Sequence, residues 1–337
     1  MRAAAYDPPM RYDLDPELLP IVELLPDTTL DDLEAARAGV LDLVQPLNEE
    51  IDTSGMTITD HRVPGPEGAA EVLVRVYVPD GDAPADGRPA LLDIHGGGFV
   101  LGSIEMEHGF AIAVARKLDA VVATVEYRLA PEHRFPAGLE DCYAALTWLH
   151  ATAADLRIDP ARIAVGGQSA GGGLAAATVL LARDRGGPPI CFQFLGIPEL
   201  DHRLETASMR AFLDTPMWHR DNAIKSWQMY LGPDHDGDVS PYASPSVASD
   251  LRGLPPAYVT TMEFDPLRDE GILYALRLME AGVCVELHSF PGTFHGSSLV
   301  PGAAVSKRAQ HELLVALARG LGTDLLTTDD GRPPTTT

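Results

Sequence analysis

The chain has 337 residues, 45% hydrophobic and 22% charged, a balance that excludes bulk disorder and lets one large core form without staples. A formal net charge of −24 repels phosphate backbones and anionic lipid, so no nucleic-acid partner is expected. No apolar run approaches the length of a bilayer span, so no stable membrane insertion is expected either.

Residues 1–55 are polar and helix-like. DPELLPIVELLP and TTLDDLEAARAGVLDLV repeat apolar residues at three- and four-residue steps, and Asp15-Pro16 reads as a cap followed by proline in the first turn. Prolines interrupt the stretch, which predicts short helices laid over the rest as an N-terminal cap segment. Its opening, MRAAAYDPPMRYDLDPELLP, lacks a continuous apolar core and carries early acids, so no secretory leader is expected.

From residue 56 the pattern changes. TITDHRV and AAEVLVRVYVP have strand length and alternation, with PGPEG between them. The runs ALLDIH, AVVATVEY, RIAVGG, ICFQFLGI, AYVTTME and CVELHSF then alternate with helix-like FAIAVARKLD, LEDCYAALTWLHATAADL, SAGGGLAAATVLLARDR, DEGILYALRLMEAG and SKRAQHELLVALARGL. Apolar strands separated by amphipathic helices predict an α/β architecture, a mostly parallel central sheet with helices on both faces. The alternation breaks over 201–250, which divides the core into 56–200 and 251–322 and marks the break as a cap insertion. Residues 323–337 read as a flexible tail.

Four short segments carry chemistry. In GGQSAGG, Gly167, Ser169 and Gly171 satisfy G-x-S-x-G between a strand pattern and a small-residue helix pattern, the context of a nucleophile elbow. HGGGF at 95–99 follows a strand and can turn backbone N–H groups toward one point. Gly97 and Gly98, with Ala170 after the serine, are therefore candidate oxyanion donors, each worth about 10²–10³ in rate. A phosphate loop is the competing use of glycines, but HGGG fits neither G-x-G-x-x-G nor GxxxxGK[ST]. His95 is expected to brace this loop.

In EFDPLRDEG, Asp265 lies where strands of an open sheet end, the place for an acid that orients a histidine. A helix cap explains the same Asp-Pro pair, and Glu263 and Asp269 compete for the role. His295 in PGTFHGS follows the last strand pattern and comes after both Ser169 and Asp265, the chain order Ser…Asp…His. Phe99, Met209, Phe212 and Trp218, together with Met217 and Trp227, serve equally as pocket lining or as the core of the cap. Arg128, Glu132 and His133 of YRLAPEH are expected as a polar brace for the glycine loop.

HGGGF, EYRLAPEHRFPAGLEDC, GQSAGG, DPLRDEG and the PGTFHG loop together resemble the hormone-sensitive lipase family of esterases (bacterial type IV) over about residues 60–320. The resemblance implies an α/β-hydrolase fold with a helical cap, no cofactor, and hydrolysis of small-molecule esters with short to medium acyl chains. It implies Ser169, Asp265 and His295 as catalytic triad, Gly97, Gly98 and Ala170 as oxyanion hole, and a homodimer through an edge strand near 284–290. Two departures stand out. Gln168 replaces the family's usual Asp before the serine, which is expected to retune His295. Ser297 replaces the usual aromatic after HG, which is expected to change the pocket wall.

An amidase or lactonase on the same triad, or a small-molecule receptor of the same fold, are the rival functions. No HExxH or clustered ligand set appears, so no metal is expected. Cys142, Cys191 and Cys284 are dispersed in apolar surroundings, which predicts free buried thiols and a cytoplasmic location.

Overall fold

A computed structural model describes residues 12–25, 29–66, 68–233, 237–300 and 302–326. The first eleven residues of the expected cap segment, and 327–337 of the expected tail, lie outside the described residues. Eight described strands form one sheet: β1 (Met56–Val63), β2 (Val72–Pro79), β3 (Arg88–Ile94), β4 (Val121–Glu126), β5 (Ile158–Gln168), β6 (Phe192–Gly196), β7 (Ala257–Phe264) and β8 (Val285–Phe294). Their order is β1-β2-β4-β3-β5-β6-β7-β8. β1, β2 and β4 pair antiparallel, and every pairing from β4–β3 through β7–β8 is parallel.

Strand alternation sorts side chains to the two faces. Leu92, Val121, Ala123 and Val125 join one core under α4 (Ala137–Ala151), α5 (Ala170–Arg185) and α8 (Arg268–Glu280). Leu91, Val122, Phe192, Phe194 and Tyr258 face the other, packed by α3 (His108–Leu118) and α9 (Ala304–Leu321). Both faces of the parallel part are covered, which is why its strands read as nearly unbroken apolar runs rather than alternating ones.

Topology then places the chemistry. His95, Ser169, Asp265 and His295 each directly follow the last residue of β3, β5, β7 and β8, at the carboxyl edge of the sheet. β8 runs further than CVELHSF implies: after an irregularity beyond Met262, Phe264 pairs with Phe294, so the expected PGTF loop is paired strand up to the histidine.

Of the N-terminal helices, α1 (Leu19–Val22) is a single turn. α2 (Leu33–Glu49) starts where the Asp32 side chain accepts the N–H of Ala35 at 3.0 Å. Leu14 and Leu18 pack on Phe294 and Val300, beside the histidine loop. α2 sends Arg37 to the carbonyls of Val100 and Ala130, 2.8 and 2.9 Å away. The insertion carries α6 (Ala207–Ala211) and α7 (Arg220–Leu231), and Lys225 of α7 bonds to Asp31, so the two irregular regions touch. The three cysteines are free, but only Cys142 is buried. Cys191 is half-buried and Cys284 exposed, because each sits just before its strand's first paired residue rather than inside the sheet.

Candidate active site

The turn between β5 and α5 is strained at Ser169. Ser169 has φ 57° and ψ −125°, a region side chains avoid, and it is held there from both sides. Its N–H donates to the carbonyl of Gly196 at 2.8 Å, and its own carbonyl accepts from Gly173 and Glu199 at 3.0 Å. A methyl group on Gly167 would lie 2.4 Å from the Ile94 carbonyl oxygen, and one on Gly171 only 2.0 Å from it, so the flanking glycines are dictated by contact with β3.

Opposite, His295 Nδ1 lies 2.7 Å from Asp265 Oδ2, and its Nε2 lies 3.0 Å from Ser169 Oγ. With Nδ1–H donating to the carboxylate, Nε2 is left to accept the serine hydroxyl. Asp265 is wholly buried, while Ser169 and His295 keep 7% exposure each. Asp265 Oδ1 also accepts the N–H of Leu267 at 2.9 Å, so the capping and orienting uses of this residue coexist. The competitors are engaged elsewhere. Glu263 accepts the N–H of Gly292 at 2.7 Å, and Asp269 accepts that of Ser208 at 2.7 Å, tying α6 to α8.

The glycine loop lies against the serine because β3 and β5 are neighbours. Gly97 and Gly98 have φ of 114° and 58°. Among the described residues no backbone carbonyl takes the N–H of Gly97, Gly98 or Ala170. Beneath the loop, His95 stacks on Tyr127 with ring centroids 4.1 Å apart, its Nδ1 is 2.8 Å from the Gly96 carbonyl, and Tyr127 Oη donates to the His95 carbonyl. Burial pulls the His95 imidazole down to about 4, so it braces the loop as a neutral ring.

The expected brace from YRLAPEH is only partly there. Arg128 is committed to Asp141 at the start of α4, and Glu132 to Arg37. The segment's grip on the loop is instead the Ala130 N–H bonded to the Phe99 carbonyl at 3.0 Å. Ser297 begins the short helical turn after the histidine loop. It is buried, its Oγ accepts the Phe294 N–H and its carbonyl accepts Ser306 Oγ, so it ties the histidine loop to α9.

Of the apolar candidates, Trp218 stands beside His295, with ring centroids 5.9 Å apart. A methyl group on Gly98 would meet the Trp218 ring at 2.5 Å. Phe99 stacks on Tyr230 of α7 at 4.1 Å. Met209 is wholly buried in the main core, and Phe212 packs edge-on against Tyr12 and Phe264.

Several buried acids surround the site, none of them visible as such in the sequence. Asp93 and Glu107 lie under the glycine loop. Burial and the charge of Glu107 hold Asp93 well above the ordinary carboxylate range, and burial raises Glu107 to about 7 although the Gly96 N–H points at it. Behind the Ser169 turn, burial raises Glu199 to about 8 and Glu270 well above its usual value. No group of three or more metal-ligating side chains occurs among the described residues.

Residues 91–299 match a family model described as alpha/beta hydrolase fold. The chain is 40% identical to Carboxylesterase NlhH of Mycobacterium tuberculosis over 321 residues, 92% of this chain and 97% of that protein. It is 36% identical to Ethyl acetate hydrolase of Pseudomonas putida over 225 residues, 66% of this chain and 70% of that protein. The solved structure of Bacterial Heroin Esterase superposes with a TM-score of 0.90 at 57% identity, covering 92% of this chain and 98% of that one.

Proposed function

This chain belongs to the α/β-hydrolase fold family and is a carboxylic ester hydrolase, and from that premise we propose that Ser169, His295 and Asp265 hydrolyse its esters through an acyl-enzyme. The observation that carries the proposal is the unbroken relay of 2.7 and 3.0 Å from Asp265 through His295 to Ser169. His295 Nε2 takes the hydroxyl proton as Ser169 Oγ attacks the ester carbonyl, while Asp265 fixes the tautomer and stabilises the imidazolium. The carbonyl oxygen becomes an oxyanion held by the N–H groups of Gly97, Gly98 and Ala170. His295 then protonates the departing alcohol. A water, activated by the same imidazole, attacks the acyl carbonyl, and the second tetrahedral intermediate expels Ser169.

The five motifs named above support placement in the hormone-sensitive lipase group. The insertion over 201–250 and the N-terminal segment act together as the cap, a role supported by the Lys225–Asp31 contact and by Trp218 beside His295. Acyl chains of roughly C2 to C8 fit the limited volume such a cap encloses. One relative is named for ethyl acetate and one for heroin, which supports the short end of that range. Free cysteines fit a cytoplasmic location, and β8 at the sheet edge is the face for a homodimer.

Ser169→Ala tests the assignment. Hydrolysis of p-nitrophenyl acetate and butyrate should fall by at least about 10⁴ with the melting temperature near wild type. Turnover within ten-fold of wild type would remove Ser169 as nucleophile.

A further inference from the structure

Glu199 takes no part in the scheme above, yet it is built into the nucleophile turn. It lies just beyond β6, wholly buried, and its N–H donates to the Ser169 carbonyl at 3.0 Å. Its carboxyl reaches the other way, to α7, where Oε1 is 2.8 Å from Ser226 Oγ. Oε2 has no partner among the described residues.

Ser226 Oγ is also 3.1 Å from the Ala223 carbonyl. One hydroxyl hydrogen serves only one of these oxygens. With the proton on Glu199 Oε1, that O–H donates to Ser226 Oγ and the Ser226 O–H donates to the Ala223 carbonyl. With Glu199 ionised, Ser226 turns to the carboxylate and a charged oxygen stays buried without a partner. Ser226 in turn backs the oxyanion loop, since a methyl group on Gly98 would come 3.2 Å from its Cβ.

We propose that Glu199 is a positioning residue, a protonated latch between the nucleophile turn and α7 that holds Ser226 against Gly98 and so keeps the oxyanion loop in place. The inference rests on Ser169 as nucleophile and the glycine-loop amides as oxyanion donors. The ionisable groups around Glu199 are Asp265 at the end of β7, Glu270 on α8, Asp201 in its own turn and Tyr230 on α7. His295 is bonded to Asp265, and Arg203 is committed to Asp201. His202 meets the ring of Trp227 edge-on. The surroundings are acidic. Losing the proton therefore adds a second negative charge near the forming oxyanion, which slows acylation, and turns the Ser226 hydroxyl from the Ala223 carbonyl to the carboxylate. Burial, with the charge of Asp265 as a smaller cause, raises Glu199 to about 8, which sets where the loss occurs.

The test is kcat and KM from about pH 6 to about pH 9.5 for wild type, Glu199→Gln and Ser226→Ala. Wild-type kcat should fall about ten-fold above a midpoint near 8 with KM moving less than about two-fold. Glu199→Gln, which keeps a donor toward Ser226 but cannot ionise, should lose this alkaline descent. Ser226→Ala should lower kcat at every pH. Infrared difference spectra provide a readout independent of turnover: wild type should show a protonated-carboxyl band at neutral pH that disappears above pH 8 and is missing in Glu199→Gln. An unchanged alkaline descent in Glu199→Gln, or no titrating band in wild type, overturns the latch. Activity persisting in Ser169→Ala would overturn the triad instead, and the infrared band would still report on Glu199.

Discussion

At the residue scale, Asp265 does two jobs with its two oxygens, and they separate on substitution. Asp265→Asn keeps an oxygen for the Leu267 N–H but presents an amide to His295, which loses the imidazolium partner and favours the wrong tautomer. Its kcat should fall about 10³–10⁴ while thermal unfolding changes little. The buried acids make a separate prediction about stability. The folded-state values of Glu107 and Glu199, about 7 and about 8, lie above the 4.5 of the unfolded chain. Stability tied to their protonated forms is fully present below about pH 4.5 and is lost as pH rises through 7 to 8. Denaturant unfolding should thus show wild type losing on the order of a few kcal/mol between pH 5 and 8.5, with Glu107→Gln losing visibly less. A flat profile for both would mean that these acids are ionised in the folded protein. Ser169, Asp265 and His295 were legible because each sits in a short pattern tied to a strand end. Glu199, Asp93 and Glu107 were not, because a glutamate in a sequence carries no mark of burial.

At the element scale, the histidine loop depends on a segment far away in sequence. Leu18 is wholly buried against Phe294, one residue before His295, and Asp15 N–H bonds to the Gly292 carbonyl at 2.8 Å. Leu18→Ala should cost about 2–4 kcal/mol and lower kcat more than it raises KM, because it loosens the loop that carries His295. A change in KM alone would show that residues 12–25 contact substrate rather than support His295. The strands were legible in outline because buried parallel strands read as apolar runs, whereas their ends depended on pairing. β5 begins four residues before RIAVGG, with Ile158 paired to Arg88, and β8 continues to Phe294 through its pairing with Phe264. Gly98→Ala would drive a methyl group from the glycine loop into Trp218 of the insertion, at a positive φ. A loss of kcat of about 10²-fold is expected, the size of one misplaced oxyanion donor.

At the scale of the whole molecule, 49 acidic residues against 25 basic ones leave a self-repelling charge of −24. Screening should relieve it, so raising salt from about 0.05 to about 0.5 M is expected to raise the melting temperature by roughly 2–5 °C. A decrease would mean that ion pairs such as Arg75 with Asp60 and Glu105 outweigh the repulsion. The same global topology brings together side chains 126 and 30 positions apart, because β5, β7 and β8 run parallel and end at one edge. That convergence is best tested with a p-nitrophenyl phosphonate, which captures an activated serine covalently. Intact-mass and peptide spectra of the treated protein should show one adduct per chain, on Ser169, absent from His295→Ala over the same exposure. Labelling at another residue, or equally fast labelling of Ser169 without the imidazole, would contradict a nucleophile activated through His295.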